Sequence, residues 1–431
     1  MRRKYAMAIG AIAVAALLPL SACGSGSGSS SGSGSDKITV WVMQGEFTDE
    51  TLAAINDRFE KETGAKVDVQ AQTWDDITTK ITTALAGSTP PDALDIGTTL
   101  VPTYAASGAI VDLSEYSDDL RQGQTWLAGL EEPATIDGKL YGVPAYAGAR
   151  AVIYNKKMWA EAGITAAPTT YDELKKDLDA LRAKNPDPNF SPLYLPGQSD
   201  FVGYQFIWDA GGEIATGKEG AWKGETSSPT SQAGLKEFQD FQNTYSAKGS
   251  RTLATDKPEQ NQIFADGHAA AIIGIGAALT PIEKINPELN ADNVGTFAMP
   301  GASGENQPVL LGGSDWSIAS KSKNQELARE WIKIATSKDI AVDFIYGKDK
   351  WIPNSQEAIE AVKEKGLPEI QTGFFDAALR SRSTPPATRW AAFEGENATE
   401  QFFQTIAVGS KSIGDASKQF DARLEQVLNG K

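Results

Sequence analysis

The sequence predicts an α/β protein folded as two lobes, and three observations carry that prediction. At 431 residues the chain is longer than a single hydrophobic core usually grows. From Lys37 onward, short β-branched runs alternate with helical stripes, a rhythm that argues for sheets covered by helices. The stretch LYGVPAYAGARAVIYNKKM, residues 140–158, then interrupts the rhythm. One strand ends at Val143 and another covers 152–154. Between them lie Pro144, Gly148 and alanines, side chains too small to form a core and suited to a crossing between lobes.

At the front of the chain, Arg2, Arg3 and Lys4 precede an apolar run from Ala6 to Leu20. The run is short and ends in small residues, which makes residues 1–22 a signal peptide rather than a spanning helix. Cys23 is the only cysteine, so no intrachain disulfide and no CxxC redox pair can form. Residues 24–36, GSGSGSSSGSGSD, carry nothing able to pack and read as a flexible tether with an end-to-end distance of roughly 20 Å. No later run approaches the length of a membrane span, so the body is expected to be soluble.

The formal charge of −16 becomes more negative once the three cations of the leader are removed. So acidic a body is a poor binder of polyphosphate, and nucleic acid is not an expected partner. Neutral and cationic ligands remain open. Ten Trp, eleven Tyr and sixteen Phe supply rings in quantity, most of them expected in the core.

Taken in order, residues 37–43, KITVWVM, form a strand, and a helix from Thr48 follows with Leu52, Ile55 and Phe59 on one face and Gly64 past its end. Val67, Val69 and Ala71 alternate in a second strand. Asp75 or Asp76 opens a helix striped by Ile77, Ile81 and Leu85, and residues 92–96 make a third strand, so a parallel sheet is expected. Asp137 and Gly138 tolerate the positive φ of a tight hairpin. Beyond the crossing, Thr170 with Glu173 makes a capping box before Leu174, Leu178 and Leu181. Ser199 is placed to cap a helix running to Trp208, and Leu235, Phe238, Phe241 and Tyr245 stripe a longer one. Residues 269–275 and 296–299 read as strands, 300–308 as a second crossing loop, and 309–319 as one strand. Leu327, Trp331 and Ile334 mark a helix. Asn397 with Glu400 reads as a capping pair, and Ala416, Phe420, Leu424 and Leu428 stripe the last helix. No repeat of solenoid length is visible.

The single histidine, His268, has no second histidine or structural cysteine to join it, so the usual zinc patterns and Cys/His or Ser-His-Asp catalysis are excluded. It reads as a loop or helix-end residue. Gly274, Ile275 and Gly276 are only a fragment of a phosphate loop, and no G-x-x-x-x-G-K-[ST] occurs. No metal or cofactor is implied. The enzymatic alternative is a secreted or cell-surface glycoside hydrolase working with two carboxylates, for which 56 acidic residues leave ample choice. A purely structural envelope module would call for repeats or long β-runs, which are absent.

Gly138 to Pro144, followed by Tyr154, Asn155, Trp159, Ala162, Gly163 and Ile164, closely resembles the pattern "G-x-x-Y-G-V-P … Y-N-x-x-x-(aromatic)-x-x-A-G-I" of the family 1 extracellular solute-binding proteins. These are the maltose-binding-protein-like sugar receptors of ABC importers, and the resemblance spans essentially the whole mature chain. It implies a two-lobe periplasmic-binding-protein type II fold with three interlobe crossings, the third near residues 347–353. Lobe one would be residues 37–146 plus 304–348, and lobe two 147–303 plus 349–431. Leu20, Ser21, Ala22 and Cys23 look like a bacterial lipobox, which implies lipidation of Cys23 and anchoring on the extracytoplasmic face of the cell membrane. The implied function is delivery of a di- or oligosaccharide to an ABC permease by hinge closure, performed by a monomer without catalysis.

A sugar offers apolar C–H faces and a rim of hydroxyls, so its receptor needs rings for the faces and amides, carboxylates or guanidinium for the rim. The resemblance places such groups at strand ends and crossings. Gln44 and Glu46 follow the first strand, Thr98 and Thr99 the third, and Tyr146 and Arg150 flank Gly148. Arg150 offers five donors in a rigid fork. In lobe two, Phe201 lies on a helix that in the family presents stacking rings, and Gly274 lies where backbone could line the cleft. Gly313 and Trp316 match a "G-G-x-x-W/A-I" strand whose glycines approach ligand, and Trp390 follows Pro385 and Pro386 in a "P-x-x-x-W/Y" stretch whose ring stacks on sugar. The segment after Phe264, Gly267, Ala269 and Ala270 lacks the ring the family often carries there, which favours a di- or trisaccharide, or a smaller modified sugar, over a long maltodextrin-like ligand.

Overall fold

The computed structural model describes residues 37–430. The leader, Cys23 and the Gly/Ser tether lie outside them. The described chain is built on two principal sheets. The first has five strands in the order Lys66–Gln72, Lys37–Met43, Ala93–Gly97, Gly312–Ile318, Val143–Gly148. The second has three, Ala271–Ile275, Arg150–Asn155 and Val294–Phe297, all antiparallel.

The strand order records the crossings. Val143–Gly148 ends in the first sheet, and one residue later Arg150–Asn155 begins in the second. The chain stays with the second sheet through Phe297, then returns to insert Gly312–Ile318 between Ala93–Gly97 and Val143–Gly148, antiparallel to both. The expected parallel sheet is therefore mixed: its first three strands are parallel, and the inserted strand reverses because it re-enters from the other lobe. The third passage follows the irregular helix Ala341–Tyr346, where Ile352 bridges back to Ala147 in both backbone directions. Two lobes joined by three crossings are thus written into the hydrogen-bonding pattern.

Local chemistry sets most element ends. Thr48 accepts from the Thr51 amide at the head of Asp49–Thr63, and Gly64, at φ 76°, closes that helix by donating to the Glu60 carbonyl. Thr170 and Glu173 form the expected reciprocal capping box before Tyr171–Lys184. Asp137 and Gly138, at φ 50° and 76°, turn the hairpin.

Four expectations are corrected. Ser199 holds the N-cap position of Asp200–Asp209, but its side chain accepts no capping hydrogen bond; within the first turn Asp200 Oδ1 accepts from the Phe201 amide at 2.8 Å. Asn397 is in the left-handed region at φ 52° and makes no capping bond to the helix Ala398–Val408. Residues 309–319 are not one strand: Val309–Leu310 pairs with Ser381–Arg382, and Gly312–Ile318 starts anew. Finally, the crossing is core after all. Ala147, Ala149 and Ala151 are buried among Leu127, Leu130, Leu311 and Ile352, because small side chains let three passages of backbone lie together.

Lobe one buries Ile38, Val40, Phe59, Trp316, Trp331 and Ile332 between its sheet and helices. Lobe two buries a larger aromatic core around Phe206, Phe238, Phe241 and Phe403. His268 is exposed in a bend after Gln260–Ala265, as its sequence context suggests.

Candidate functional site

In the first lobe, the carboxyl ends of Lys37–Met43 and Ala93–Gly97 bring Glu46 and Asp95 together. Both are buried, and the Asp95 carboxyl accepts from the Met43 amide at 3.4 Å. Burial holds the Asp95 carboxyl well above the usual carboxylate range, and the nearby Glu46 charge pushes it in the same direction. Aromatic side chains frame the pair. Trp74 Nε1 donates to Glu46 Oε1 at 3.1 Å, and Trp351 Nε1 donates to the Glu46 carbonyl at 2.8 Å. Trp351 stacks on Tyr146 with centroids 4.7 Å apart, and the Tyr146 hydroxyl lies 3.2 Å from Ser314 Oγ. Burial raises the Tyr146 phenol far above its ordinary value, so it remains a neutral donor and acceptor. Glu46 Oε2 and Asp95 Oδ1 have no hydrogen-bond partner among the described residues.

At the crossing, Arg150 pairs in the sheet with Ile275, and its guanidinium sits 4.1 Å from the centre of the Phe201 ring. Among the described residues it donates no hydrogen bond and makes no ion pair at contact distance. Burial pushes it down to about 10, with Asp200 acting in the opposite sense. Asp200 Oδ2 accepts from Thr399 Oγ1 at 2.9 Å. Burial raises Asp200 to about 6, with the Glu400 charge adding to it. Glu394 is raised to about 7, again mainly by burial, with Asp200 and Glu400 contributing. The second lobe therefore offers one cation with unused donors beside a group of reluctant carboxyls.

The two lobes meet again away from the hinge. The short helix Trp390–Glu394 packs against the turn Thr98–Leu100, and Thr103 Oγ1 donates to the Thr388 carbonyl at 2.8 Å.

The sequence-selected residues thus fall into three neighbourhoods: Glu46 with Tyr146, Arg150 with Phe201, and Thr98 and Thr99 beside the helix that Trp390 opens. Gln44 is exposed and tied in only by its amide, which donates to the Gln72 carbonyl at 2.7 Å. Three selected residues do structural work instead. Trp316 is 1 % exposed, stacked on Phe47 and edge-on to Trp331, so no face is left for a ligand. Gly313, at φ 151°, lies where a Cβ would come within 2.2 Å of the Tyr146 carbonyl oxygen, so its small size serves the sheet. A Cβ on Gly274 would point toward Ile153, Ala278 and Gln260 rather than into open space. Trp390 is also 1 % exposed, held by the lobe-two core and packed against Phe393 in this conformation.

Trp74 and Trp351 were not selected from sequence. Trp74 is 46 % exposed, its ring over Gly97 where an added Cβ would lie 3.7 Å away. An indole following the second strand, just after the QAQ tail of that strand, was the available signal. Trp351 sits inside the third crossing, and that position marks it.

Two α/β lobes joined by three adjacent passages, with polar and aromatic groups gathered beside them, define a hinged binding protein. The chain belongs to the bacterial extracellular solute-binding proteins, whose family model matches residues 44–342. It is 33 % identical over 394 residues to the diacetylchitobiose binding protein DasA of Streptomyces coelicolor, covering 91 % of this chain and 90 % of that one. It is 27 % identical to the maltodextrin-binding protein MdxE of Bacillus subtilis, over 73 % of each chain. Among solved structures, the sugar-binding protein MalE of Xanthomonas citri superposes with a TM-score of 0.79 at 20 % identity, covering 91 % of this chain and 98 % of its own. That likeness establishes the shared fold. Among the described residues no helix is long and apolar enough to cross a membrane, and no cluster of His, Cys, Asp and Glu is arranged to hold a metal ion.

Proposed function

We propose that this protein is a sugar receptor of an ABC importer, anchored through Cys23 to the extracytoplasmic face of the cell membrane. It captures a di- or oligosaccharide between its lobes and presents the closed form to a membrane permease. It acts as a monomer, without catalysis and without a cofactor. The lobes are residues 37–146 plus 304–348 and 147–303 plus 349–431. The ligand groups are Gln44, Glu46, Thr98, Thr99, Tyr146, Arg150 and Phe201, joined by Trp74 and Trp351.

One observation carries the reading. Arg150 stands at the first crossing with its guanidinium over Phe201 and no acceptor among the described residues, while Glu46, Tyr146 and Trp74 of the other lobe form a ring-and-carboxyl group with Trp351 of the third crossing. Rings for the sugar faces and charged or hydroxyl groups for its rim are the two components that carbohydrate recognition needs. The similar diacetylchitobiose binding protein DasA and maltodextrin-binding protein MdxE support the same ligand class.

Small-angle scattering on the soluble body, with and without a sugar that shifts its Trp fluorescence, tests hinge closure. The radius of gyration is expected to fall at saturation. An unchanged radius with bound sugar means a preformed site and sinks the closure mechanism. Intact mass of the membrane fraction is expected to carry diacylglycerol on Cys23; an unmodified chain found wholly in the medium refutes the anchor.

A further inference from the structure

Asp95 is not among the ligand groups, yet it stands at the buried end of a path that leads to the open face of Trp74. It lies on Ala93–Gly97, the middle strand of the five-stranded sheet, and is fully buried. Its Oδ2 accepts from the Met43 amide at 3.4 Å, and its Oδ1 has no partner among the described residues. Glu46 comes from the loop after Lys37–Met43, close enough for the two carboxyls to share a hydrogen bond. Glu46 is 8 % exposed; its Oε1 accepts from Trp74 Nε1 at 3.1 Å, and its Oε2 also lacks a partner. Asp95 and Gly97 are two residues apart on one strand, so they face the same side of the sheet. Gly97 leaves that side empty, and the Trp74 ring fills it, 3.7 Å from where a Cβ would stand. The indole is thus seated over Gly97 and tied through its N–H to Glu46, with the rest of its surface open to a ligand.

Two carboxyls in contact inside a protein do not both ionise unless a cation offsets them, and neither of these makes an ion pair among the described residues. The groups that face them from the neighbouring elements are uncharged. Ser314 on Gly312–Ile318 and Tyr146 on Val143–Gly148 lie hydroxyl to hydroxyl at 3.2 Å, and the indoles of Trp74 and Trp351 point their N–H groups at Glu46. Burial first, then the Glu46 charge and the hydrogen bond with Glu46, hold the Asp95 carboxyl well above the carboxylate range, while Ser314 and the Met43 amide pull the other way. Burial raises the Tyr146 phenol, and both carboxyl charges add to it. A single proton between the carboxyls gives both partnerless oxygens a use and leaves one charge on the pair.

We propose that Asp95 is a positioning residue for sugar binding: its O–H, donated to Glu46 Oε2, keeps Glu46 Oε1 turned to the Trp74 N–H and so fixes the indole face that the ligand meets. The inference rests on the sugar-receptor reading and adds a proton dependence to it. Below the titration of the pair the shared proton is present and Trp74 is held. As pH rises through that titration a second negative charge appears in a buried site, and the repulsion moves the freer partner. Asp95 is fixed in a central strand, whereas Glu46 follows Gly45, at φ 87°, in a loop, so Glu46 swings and Trp74 loses its acceptor. Affinity is therefore full at low pH and lost as pH rises, and binding on the falling limb takes up protons. Asp200 and Glu394, raised to about 6 and about 7 on the other lobe, titrate separately, and their share persists when Asp95 is replaced.

Calorimetric titration of the soluble body with N,N′-diacetylchitobiose and with maltose, from about pH 5 to about pH 9, tests it. Wild-type affinity is expected to fall at least about tenfold toward the alkaline end, with proton uptake read as a dependence of the heat on the buffer. Asp95→Ala removes the donor and should weaken binding about tenfold even at the acid end. Asp95→Asn, whose amide donates without titrating, should rescue that loss and remove the Asp95 step from the profile. Trp74→Phe keeps a ring without the N–H, and should bind more weakly and lose the same step. Difference infrared spectra of sugar-free wild type against Asp95→Asn, near neutral pH, should show the carbonyl stretch of a protonated carboxyl in wild type alone. Matching pH profiles for wild type and Asp95→Asn, or a missing band, overturn the shared proton while leaving the receptor reading intact. A step that survives in Trp74→Phe overturns the link to the indole. Failure of both sugars to bind overturns the receptor reading for these two sugar classes and the affinity effect with it, and the infrared band then upholds or overturns the shared proton by itself.

Discussion

Asp200 gives the most direct test of how the site is built, because its environment converts into a stability profile. The side chain is 7 % exposed and held near pH 6 rather than at its ordinary 3.8, chiefly by burial. In the folded protein it therefore keeps its proton to higher pH than in the unfolded chain. Below about pH 4 both states are protonated and the contribution is fully present; between about pH 4 and pH 6 the unfolded chain ionises first, and stability is lost as pH rises through the folded value. At ~1.4 kcal/mol per pH unit, the displacement from 3.8 to about 6 corresponds to roughly 3 kcal/mol.

Asp200→Asn keeps the shape of the side chain, and its amide oxygen can still accept from the Phe201 amide. Urea unfolding followed by Trp fluorescence, from about pH 4 to about pH 8, should show wild type losing stability across the window and the variant losing roughly 3 kcal/mol less. Part of the slope should remain, since Glu394 is raised to about 7 by its own burial. Parallel profiles for wild type and variant would falsify the assignment of a buried, protonated carboxyl beside Arg150.

Three further outcomes are expected. Arg150→Met should reduce sugar affinity by about 10- to 150-fold, the worth of a charge-assisted hydrogen bond, and move the thermal midpoint by no more than a few degrees; unaltered affinity removes Arg150 from the site. Thr103→Val deletes the 2.8 Å bond to the Thr388 carbonyl, worth about 1 kcal/mol, so ligand-free scattering should report a larger radius of gyration and affinity should fall roughly fivefold. An unchanged radius would mean that this bond does not bias the lobes. Gly313→Ala places a Cβ 2.2 Å from a backbone oxygen at φ 151°, and should lower urea stability by at least about 2 kcal/mol; a fully stable variant would contradict the close approach to Tyr146.

Much of the fold is legible in the sequence because local signals and tertiary structure agree there. The strand Lys37–Met43 has the bounds its β-branched run suggests, and the Thr170 and Glu173 box starts its helix where expected. Legibility fails where a residue type serves two physical ends. Gly313 and Gly274 read as openings for a ligand, yet small size is equally what a close sheet contact demands, and spacing cannot separate the two. Trp316 and Trp74 are identical letters; one is sealed against Phe47 and Trp331, the other is half open beside Glu46. Only the burial each acquires from distant strands distinguishes them. The reversal of Gly312–Ile318 is likewise invisible locally, because strand direction is set by which lobe the chain has just left.

The crossings show what must supply the energy of closure. Their backbone is firmly packed: Ala147 exchanges hydrogen bonds with Ile352 at 2.9 and 3.0 Å, Asn354 Nδ2 donates to the Pro144 carbonyl at 2.7 Å, and the alanines between them are buried. A pivot of this kind resists fraying but does not itself choose between open and closed, since its bonds lie on the axis about which the lobes turn. Away from it, side-chain hydrogen bonds join the lobes from Thr103 to the Thr388 carbonyl and from Ser383 to Glu132; the first is worth about 1 kcal/mol, a population ratio of only about fivefold. Moving a two-state equilibrium from mostly open to mostly closed takes roughly 5 kcal/mol of differential binding. A ligand that touched only Arg150 and Phe201 would bind both forms about equally and shift nothing. Under the closure mechanism proposed above, one that spans from these to Glu46, Tyr146 and Trp74 on the facing lobe and to Trp351 at the third crossing gains its contacts only on closure, which would make the two-sided distribution of rings and charges the source of the conformational signal.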